Sequence, residues 1–440
     1  MASKLHHLML ATVENTADPM AWSGSAIEIS EALSNAVERL TIVDNLPVKK
    51  HPVHAAVRLA LGRFPNNEPR YPLWMSTPAL HDFAQRTAKA IEQHRPEALL
   101  CISSQCLVYL HEYYKGPAIP VFSYSDTPWM LFLELYKDFW PYPVGTARYA
   151  ARERAAIRRC TGAIYATEWA RQDAIRRFEL PPERVHVQSM GASWIPTESE
   201  SEIEATILAR PRNRVDILYI GKEWKRKSGP MVIEIARQLR ASGRVGDVKL
   251  HIVGANPELQ PGDEAFIQVY GLLRRSDPTE SALLRKLLCE SHFLLVPTSA
   301  ECFGLVFAEA QAFGVPPISR AVGAVPSVIL DGETGLVLPI EAGAEAYVQR
   351  ILDLLANGRD EYVRMALAGR RNFRQHLNWP AFGQGIVKTI GESLPLPASA
   401  HDHDGHVHDG DPDVLHALAP LPVPSHSRAP SRSHSFRTGS

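Results

Sequence analysis

The chain has 440 residues, 45% hydrophobic and 22% charged, which is long for a single core and favours two domains that each bury their own. Its net charge of −1 carries no basic excess that would point to nucleic acid or an acidic membrane surface. The 5 cysteines are odd in number and lack paired metal-ligand spacing, so a reducing compartment fits better than a disulfide framework.

The amino-terminal stretch MASKLHHLMLATVEN holds an apolar run broken by His and Glu, which reads as a first strand rather than a signal peptide. No segment reaches the roughly 18 uninterrupted apolar residues of a membrane span, so a cytoplasmic protein is expected. From there short apolar runs alternate with longer helical patterns. The strand candidates of the first half are HLMLATV, LTIVDNL, ALLCISS, IPVFSYS, AIYATE and VHVQSM, with helix candidates IEISEALSNAVERL, HDFAQRTAKAIEQH and RYAARERAAIRR between them. The polar stretch WIPTESESEIEATILARPRNR then reads as a domain junction. The second half repeats the scheme with strands VDILYIG, VKLHIVG, AFIQVYG, FLLVPTS, PPISRA and TGLVLP. Its helices include PMVIEIARQLRAS, ESALLRKLLCES and VFAEAQAF. Alternation of this kind predicts an α/β chain of two doubly wound, Rossmann-like parallel-sheet domains, residues 1–196 and 197–377, facing a central cleft. NWPAFGQGIVKTIGESL gives a last helix over 378–394. Residues 395–440, rich in His, Pro, Ser and Asp, have too few large apolar side chains for a core and are expected to be disordered.

Chemistry gathers at strand ends of the second half. In YIGKEWKRKSG a strand runs into Gly221 and then Lys222, Lys225, Arg226 and Lys227 before a helix. Basic side chains beside a helix start can hold a diphosphate, although a lysine cluster on a solvated loop accounts for the pattern equally well. The stretch ECFGLVFAE places Glu301 in a loop, Gly304 at a helix start and Glu309 inside the helix. Carboxylates repel a diphosphate and suit hydroxyl groups, so a ligand with phosphate in the middle and hydroxyl-bearing rings at both ends satisfies every part. That describes a nucleotide-sugar. Two carboxylates that merely favour the start of a helix are the alternative. In SRAVGAVPSVILDGETGLVLP the turns at Gly323 and DGETG read sufficiently as sheet punctuation.

The run PTSAECFGLVFAEAQAFGVPPISRAVGAVPSVILDGETGLVLP resembles the nucleotide-sugar signature of the family 4 glycosyltransferases, retaining enzymes of the GT-B fold. The resemblance extends back through YIGKEWKRKSG and HIVGANPE and covers roughly residues 5 to 392. It implies that Glu301 contacts the donor sugar near its reacting end and that Glu309 binds the nucleotide ribose. It implies also that the N–H groups of Phe303 and Gly304 meet the diphosphate and that Lys227 neutralises it. Lys222 stands where many relatives have Arg, so a point charge replaces a bidentate fork. WSGS, with Gly24, is a thin version of the family's glycine-rich loop, or else a helix start capped by Ser23 or Ser25. Asp126, in PVFSYSDTPW, stands where many relatives carry a His beside the reaction centre, or else caps a turn or helix before Pro128.

HDHDGHVHDGD in the tail imitates a DxD metal motif at Asp402, His403 and Asp404, and metal capture there is read as incidental. SRAPSRSHSFR is a basic patch for a membrane surface or partner at most. The aromatic run FSYSDTPWMLFLELYKDFWPYP is expected to be mostly core, with any exposed part forming an acceptor or membrane-facing lip. With that resemblance the expectation is a glycosyltransferase that moves a sugar from a nucleotide-diphosphate donor to a sugar, lipid-linked or small-molecule acceptor hydroxyl, and the resemblance implies retained configuration and no divalent metal. A nucleotide-sugar epimerase on the same fold and a non-catalytic nucleotide-sugar-binding protein are the alternatives. A pyridoxal phosphorylase would need a Schiff-base lysine context that the sequence does not show.

Overall fold

The structure, a computed structural model, describes residues 5–394 apart from 19–20, 45, 47–51, 64–69 and 140. The tail and its Asp402-His403-Asp404 stretch lie outside the described residues. Two six-stranded, wholly parallel sheets carry the chain. The first contains β1 (His7–Ala11), β2 (Arg39–Val43), β3 (Ala98–Ile102), β4 (Val121–Ser125), β5 (Gly162–Tyr165) and β6 (Val185–Val187) in the order β2-β1-β3-β4-β5-β6. The second contains β7 (Arg214–Ile220), β8 (Asp247–Val253), β9 (Ile267–Gly271), β10 (Phe293–Leu295), β11 (Pro317–Arg320) and β12 (Leu336–Leu338) in the order β12-β11-β10-β7-β8-β9. Every strand read from the sequence is present. The reason is visible in β3, whose ALLCI is buried at all five positions: strands covered by helices on both faces are apolar throughout.

The orders matter more than the count. In a doubly wound sheet the strand order reverses at one point, and the crevice outside the carboxyl ends there receives the ligand. In the first sheet the reversal falls between β1 and β3; in the second it falls between β7 and β10.

The polar stretch read as the domain junction contains a helix, Glu200–Ala209, opened by a reciprocal capping box between Ser199 and Glu202. Arg210 at its end is buried and donates to the carbonyls of Phe313 (3.0 Å) and Gly314 (2.6 Å), tying the helix to the second sheet's layer. The last helix, Trp379–Gly391, lies on helix Ser25–Ser34 of the first half: a side chain at Gly383 would strike the Ala32 carbonyl at 2.4 Å. Phe382 from it packs edge-on against Tyr124 of β4 at 5.0 Å. All five cysteines are unpaired thiols. Among the described residues no helix is long and apolar enough to cross a membrane.

Candidate functional site

The loops that follow β7 and β10 meet at the second sheet's point of reversal. After β7 the chain turns through residues 224–228 and enters helix Gly229–Ala241. Lys227 reaches from that turn to Glu301 in the loop after β10, with Nζ donating to Oε2 at 2.9 Å. Gly221 makes the reach possible, because a Cβ there would lie 2.8 Å from Cδ of Lys227. Arg226 is buried under the same carboxylate, its Nη1 3.6 Å from Oε2 of Glu301 and donating to the Ala300 carbonyl at 2.5 Å. Its guanidinium lies 5.2 Å from the centre of the Tyr136 ring, which belongs to the first half. Glu301 therefore has two cations on one oxygen, in a setting that is nearly dry: only 11% of its side chain is exposed.

Helix Leu305–Ala312 begins just beyond, with Gly304 as N-cap at φ 85, a left-handed conformation that glycine adopts without penalty. No acidic residue stands in its first turn, so neither glutamate serves the helix dipole as a first-turn carboxylate. The N–H groups of Phe303 and Gly304 find no acceptor among the described residues, which leaves a pair of donors at a helix start beside Lys227. Glu309 is buried farther in, and burial pushes its carboxyl up to about 7 against the pull of the N–H groups of Trp194 and Ser193 and the charges of Arg275 and Lys227. Arg275, in the loop after β9, pairs with Glu28 of helix Ser25–Ser34 and so joins the two halves across the cleft. Lys222 is exposed and is not among the partners of Glu301.

The first sheet's edge has a different character. Asp126 follows β4; burial raises its carboxyl to about 6, with Ser125, the Thr127 N–H and its own N–H lowering it and the charge of Glu301 adding to the rise. The Glu301 charge that reaches Asp126 comes from a loop of the opposite sheet. Helix Trp129–Tyr136 has Pro128 as N-cap and no side-chain cap, so Asp126 does not cap it. The Trp129 N–H goes instead to Oε2 of Glu153 at 3.3 Å. Gly24 (φ 89) is itself the N-cap of helix Ser25–Ser34, with no side-chain cap, so neither Ser23 nor Ser25 fills that place.

The aromatic run is not mostly core. In helix Trp129–Tyr136 only Leu133 is fully buried, while Trp129, Phe132 and Tyr136 stack in file, 5.5 Å and 4.6 Å between rings, along the cleft wall. Ring faces spaced three and four residues apart form one helix stripe, and this stripe borders the cleft instead of a packed layer.

Sequence reasoning missed Arg226 as a separate element of the site, as well as Tyr136 and Glu153. A buried arginine between an exposed Lys225 and a part-buried Lys227 leaves no mark in KEWKRKSG, since its burial depends on Ala300 and Tyr136, remote in the chain.

Comparisons with known proteins converge on this fold. Residues 214–357 match the family model described as Glycosyl transferases group 1. Over 210 residues the chain is 30% identical to the alpha-D-kanosaminyltransferase of Streptomyces kanamyceticus, covering 46% of this chain and 53% of that protein. It is 26% identical over 246 residues to the alpha-maltose-1-phosphate synthase of Mycolicibacterium smegmatis, covering 52% and 62%. The matched region thus spans little more than half the length of these curated relatives. Among solved structures, a glycosyltransferase from Rickettsia africae superposes with a TM-score of 0.58 at 14% identity, over 88% of this chain and 99% of that one. The sucrose-phosphate synthase of Thermosynechococcus elongatus superposes with a TM-score of 0.58 at 18% identity, over 87% and 98%. Two six-stranded parallel sheets, each flanked by helices and matched over nearly the whole described chain, make this the GT-B fold of glycosyltransferases.

Proposed function

We propose that the chain is a retaining glycosyltransferase of the family 4 type, taking a sugar from a nucleotide-diphosphate donor to an acceptor hydroxyl. The observation that carries this reading is the cluster of Lys227, Glu301 and the unpartnered Phe303 and Gly304 N–H groups, gathered at the second sheet's reversal. Leaving diphosphate develops negative charge as the glycosidic bond breaks. Lys227 and the two N–H groups are preorganised to receive it, and Arg226 adds charge from beneath. Lys227 then exchanges Glu301 for phosphate oxygen, which frees the Glu301 carboxylate for the sugar ring where positive charge grows. Glu309 is assigned to the ribose and Gly24 to the donor's phosphate side of the cleft. Asp126 is assigned to orienting the acceptor hydroxyl, whose proton passes to a phosphate oxygen on the face that the diphosphate leaves. We place this reaction in the cytoplasm and give it no divalent metal, so activity should survive EDTA.

The kanosaminyltransferase and maltose-1-phosphate synthase relatives support sugar transfer as the reaction class. The test is a melting-curve screen of nucleotide-diphosphate sugars followed by product analysis, since a bound donor stabilises the fold by mass action. A donor that raises the melting temperature and yields a transferred sugar with unchanged anomeric configuration supports the reading. An inverted product, or no response to any nucleotide diphosphate, defeats it.

A further inference from the structure

The first sheet's reversal point holds a cavity that the donor site does not use. Its volume is about 490 Å³, inside the roughly 300–1,000 Å³ of small-ligand sites. The segments after β1 and β3 supply Glu14 and Gln105, and the segment after β4 supplies Asp126 and Thr127, so the cavity occupies the crevice where a doubly wound sheet takes its ligand. Its wall is aromatic: Trp74 meets Trp129 edge-on at 5.2 Å and Tyr149 at 5.1 Å, and Trp22 also lines the space.

Three carboxyl groups share it. Asp126 and Glu153 are set into the wall and Glu14 stands exposed at the mouth. The bonds they receive from side chains and from Trp129 are long: Ser104 Oγ at 3.4 Å and the Trp129 backbone N–H at 3.3 Å for Glu153, and Ser125 Oγ at 3.5 Å for Asp126, which the Thr127 N–H also reaches. The guanidinium whose charge reaches Glu153, that of Arg177, is engaged by Asp173 and Glu134. No lysine or arginine among the described residues lines the cavity. Independently, Thr127 is 5% exposed and its Oγ1 has no partner among the described residues. Oε1 of Gln105 and Nε1 of Trp129 are in the same condition. Buried polar atoms are ordinarily satisfied, so three orphans on one cavity point to a ligand that completes them.

We propose that this cavity binds the ring of an amine-bearing acceptor, its ammonium held between the carboxylates and the tryptophan faces. The proposal rests on the glycosyltransferase reading and names the acceptor class for it. A buried carboxylate is costly unless paired, and an ammonium supplies both a charge and three donors. Indole faces attract the same cation. A phosphorylated acceptor meets like charge here, and a neutral ring leaves the carboxylates unpaired.

The experiment is saturation-transfer NMR on the full chain with glucosamine, glucose and glucose 6-phosphate, which share one ring and differ in charge. Glucosamine should bind at least about tenfold more tightly than glucose, with glucose 6-phosphate weakest. Glu153→Gln and Trp74→Ala should each weaken glucosamine about fivefold and leave glucose unchanged. Should Glu153→Gln fail to fold, Glu14→Gln reads the same loss from the mouth. Equal affinity for the three, preference for the phosphate, or no glucosamine binding overturns the inference. UDP, GDP and ADP titrated into the same sample separate the two readings. Nucleotide binding without glucosamine binding sinks the acceptor class alone, whereas glucosamine binding without any nucleotide binding sinks the glycosyltransferase reading and leaves an amine site.

Discussion

At the second sheet's reversal the cleft wall is built from short loops with glycine at the turns: Lys227 and Arg226 converge on Glu301, and unpaired N–H groups start a helix. At the first sheet's reversal the wall is built from tryptophans and from carboxyls drawn from positions 14 to 153, exposed at Glu14 and buried at Glu153. One wall offers positive charge to an anion; the other offers negative charge and ring faces. The two sheets share a topology class, so topology decides where each ligand lies, and the loop side chains alone decide which ligand it is.

The variants that break this contrast most are at the basic wall. Lys227→Ala should lower kcat/KM for the donor by about a hundredfold through lost stabilisation of the leaving group. Steady-state kinetics with a circular-dichroism check of folding reads this, and unchanged kinetics would remove the diphosphate from this loop. Glu301→Gln should lower kcat by about tenfold and also lower the melting temperature, because it leaves Lys227 and Arg226 without their shared buried partner. The double variant Lys227→Met with Glu301→Gln sharpens the point: it should recover melting temperature relative to Glu301→Gln alone and remain inactive.

Glu309→Gln should act on binding, raising the donor KM about three- to fivefold with kcat nearly intact. The same residue links the site to pH. Burial raises Glu309 and Glu153 to about 7 and Asp126 to about 6, so the folded chain keeps protons that the unfolded chain has released. Their stabilising contribution is complete below the unfolded carboxyl range, about 4, and is lost as pH rises through about 7. Melting temperature should therefore fall between pH 5 and pH 8, and Glu309→Gln should flatten that fall. A slope identical to wild type would place the linkage elsewhere. The smallest effect belongs to Lys222→Ala: an exposed lysine outside the Glu301 cluster should change kcat/KM less than about threefold, and less still at high salt.

The contrast also explains what the sequence disclosed. The twelve strands were legible because parallel, doubly covered strands are apolar runs bounded by turns. Helix boundaries were less so: IEISEALSNAVERL continues its apolar pattern to Leu40, yet the helix stops at Ser34 because Arg39 and Leu40 pair with His7 and Leu8 of β1. That Lys227 pairs with Glu301 beside the Gly304 helix start could be anticipated because each lies in a short loop just after a strand. The opposite wall was not. Glu153 lies in the middle of an arginine-rich helix, Thr146–Arg159, where a glutamate reads as a solvated partner, and only the fold turns it inward to the Trp129 N–H.

The pair between Arg275 and Glu28 has a consequence of another kind. It fastens the second half to the first with a guanidinium that is 54% exposed, a contact that salt screens readily. Arg275 and Glu309 belong to the same half, so spreading the cleft parts Arg275 from Glu28 and leaves its charge with Glu309. Ionic strength thereby becomes a handle on how firmly the two halves are tied.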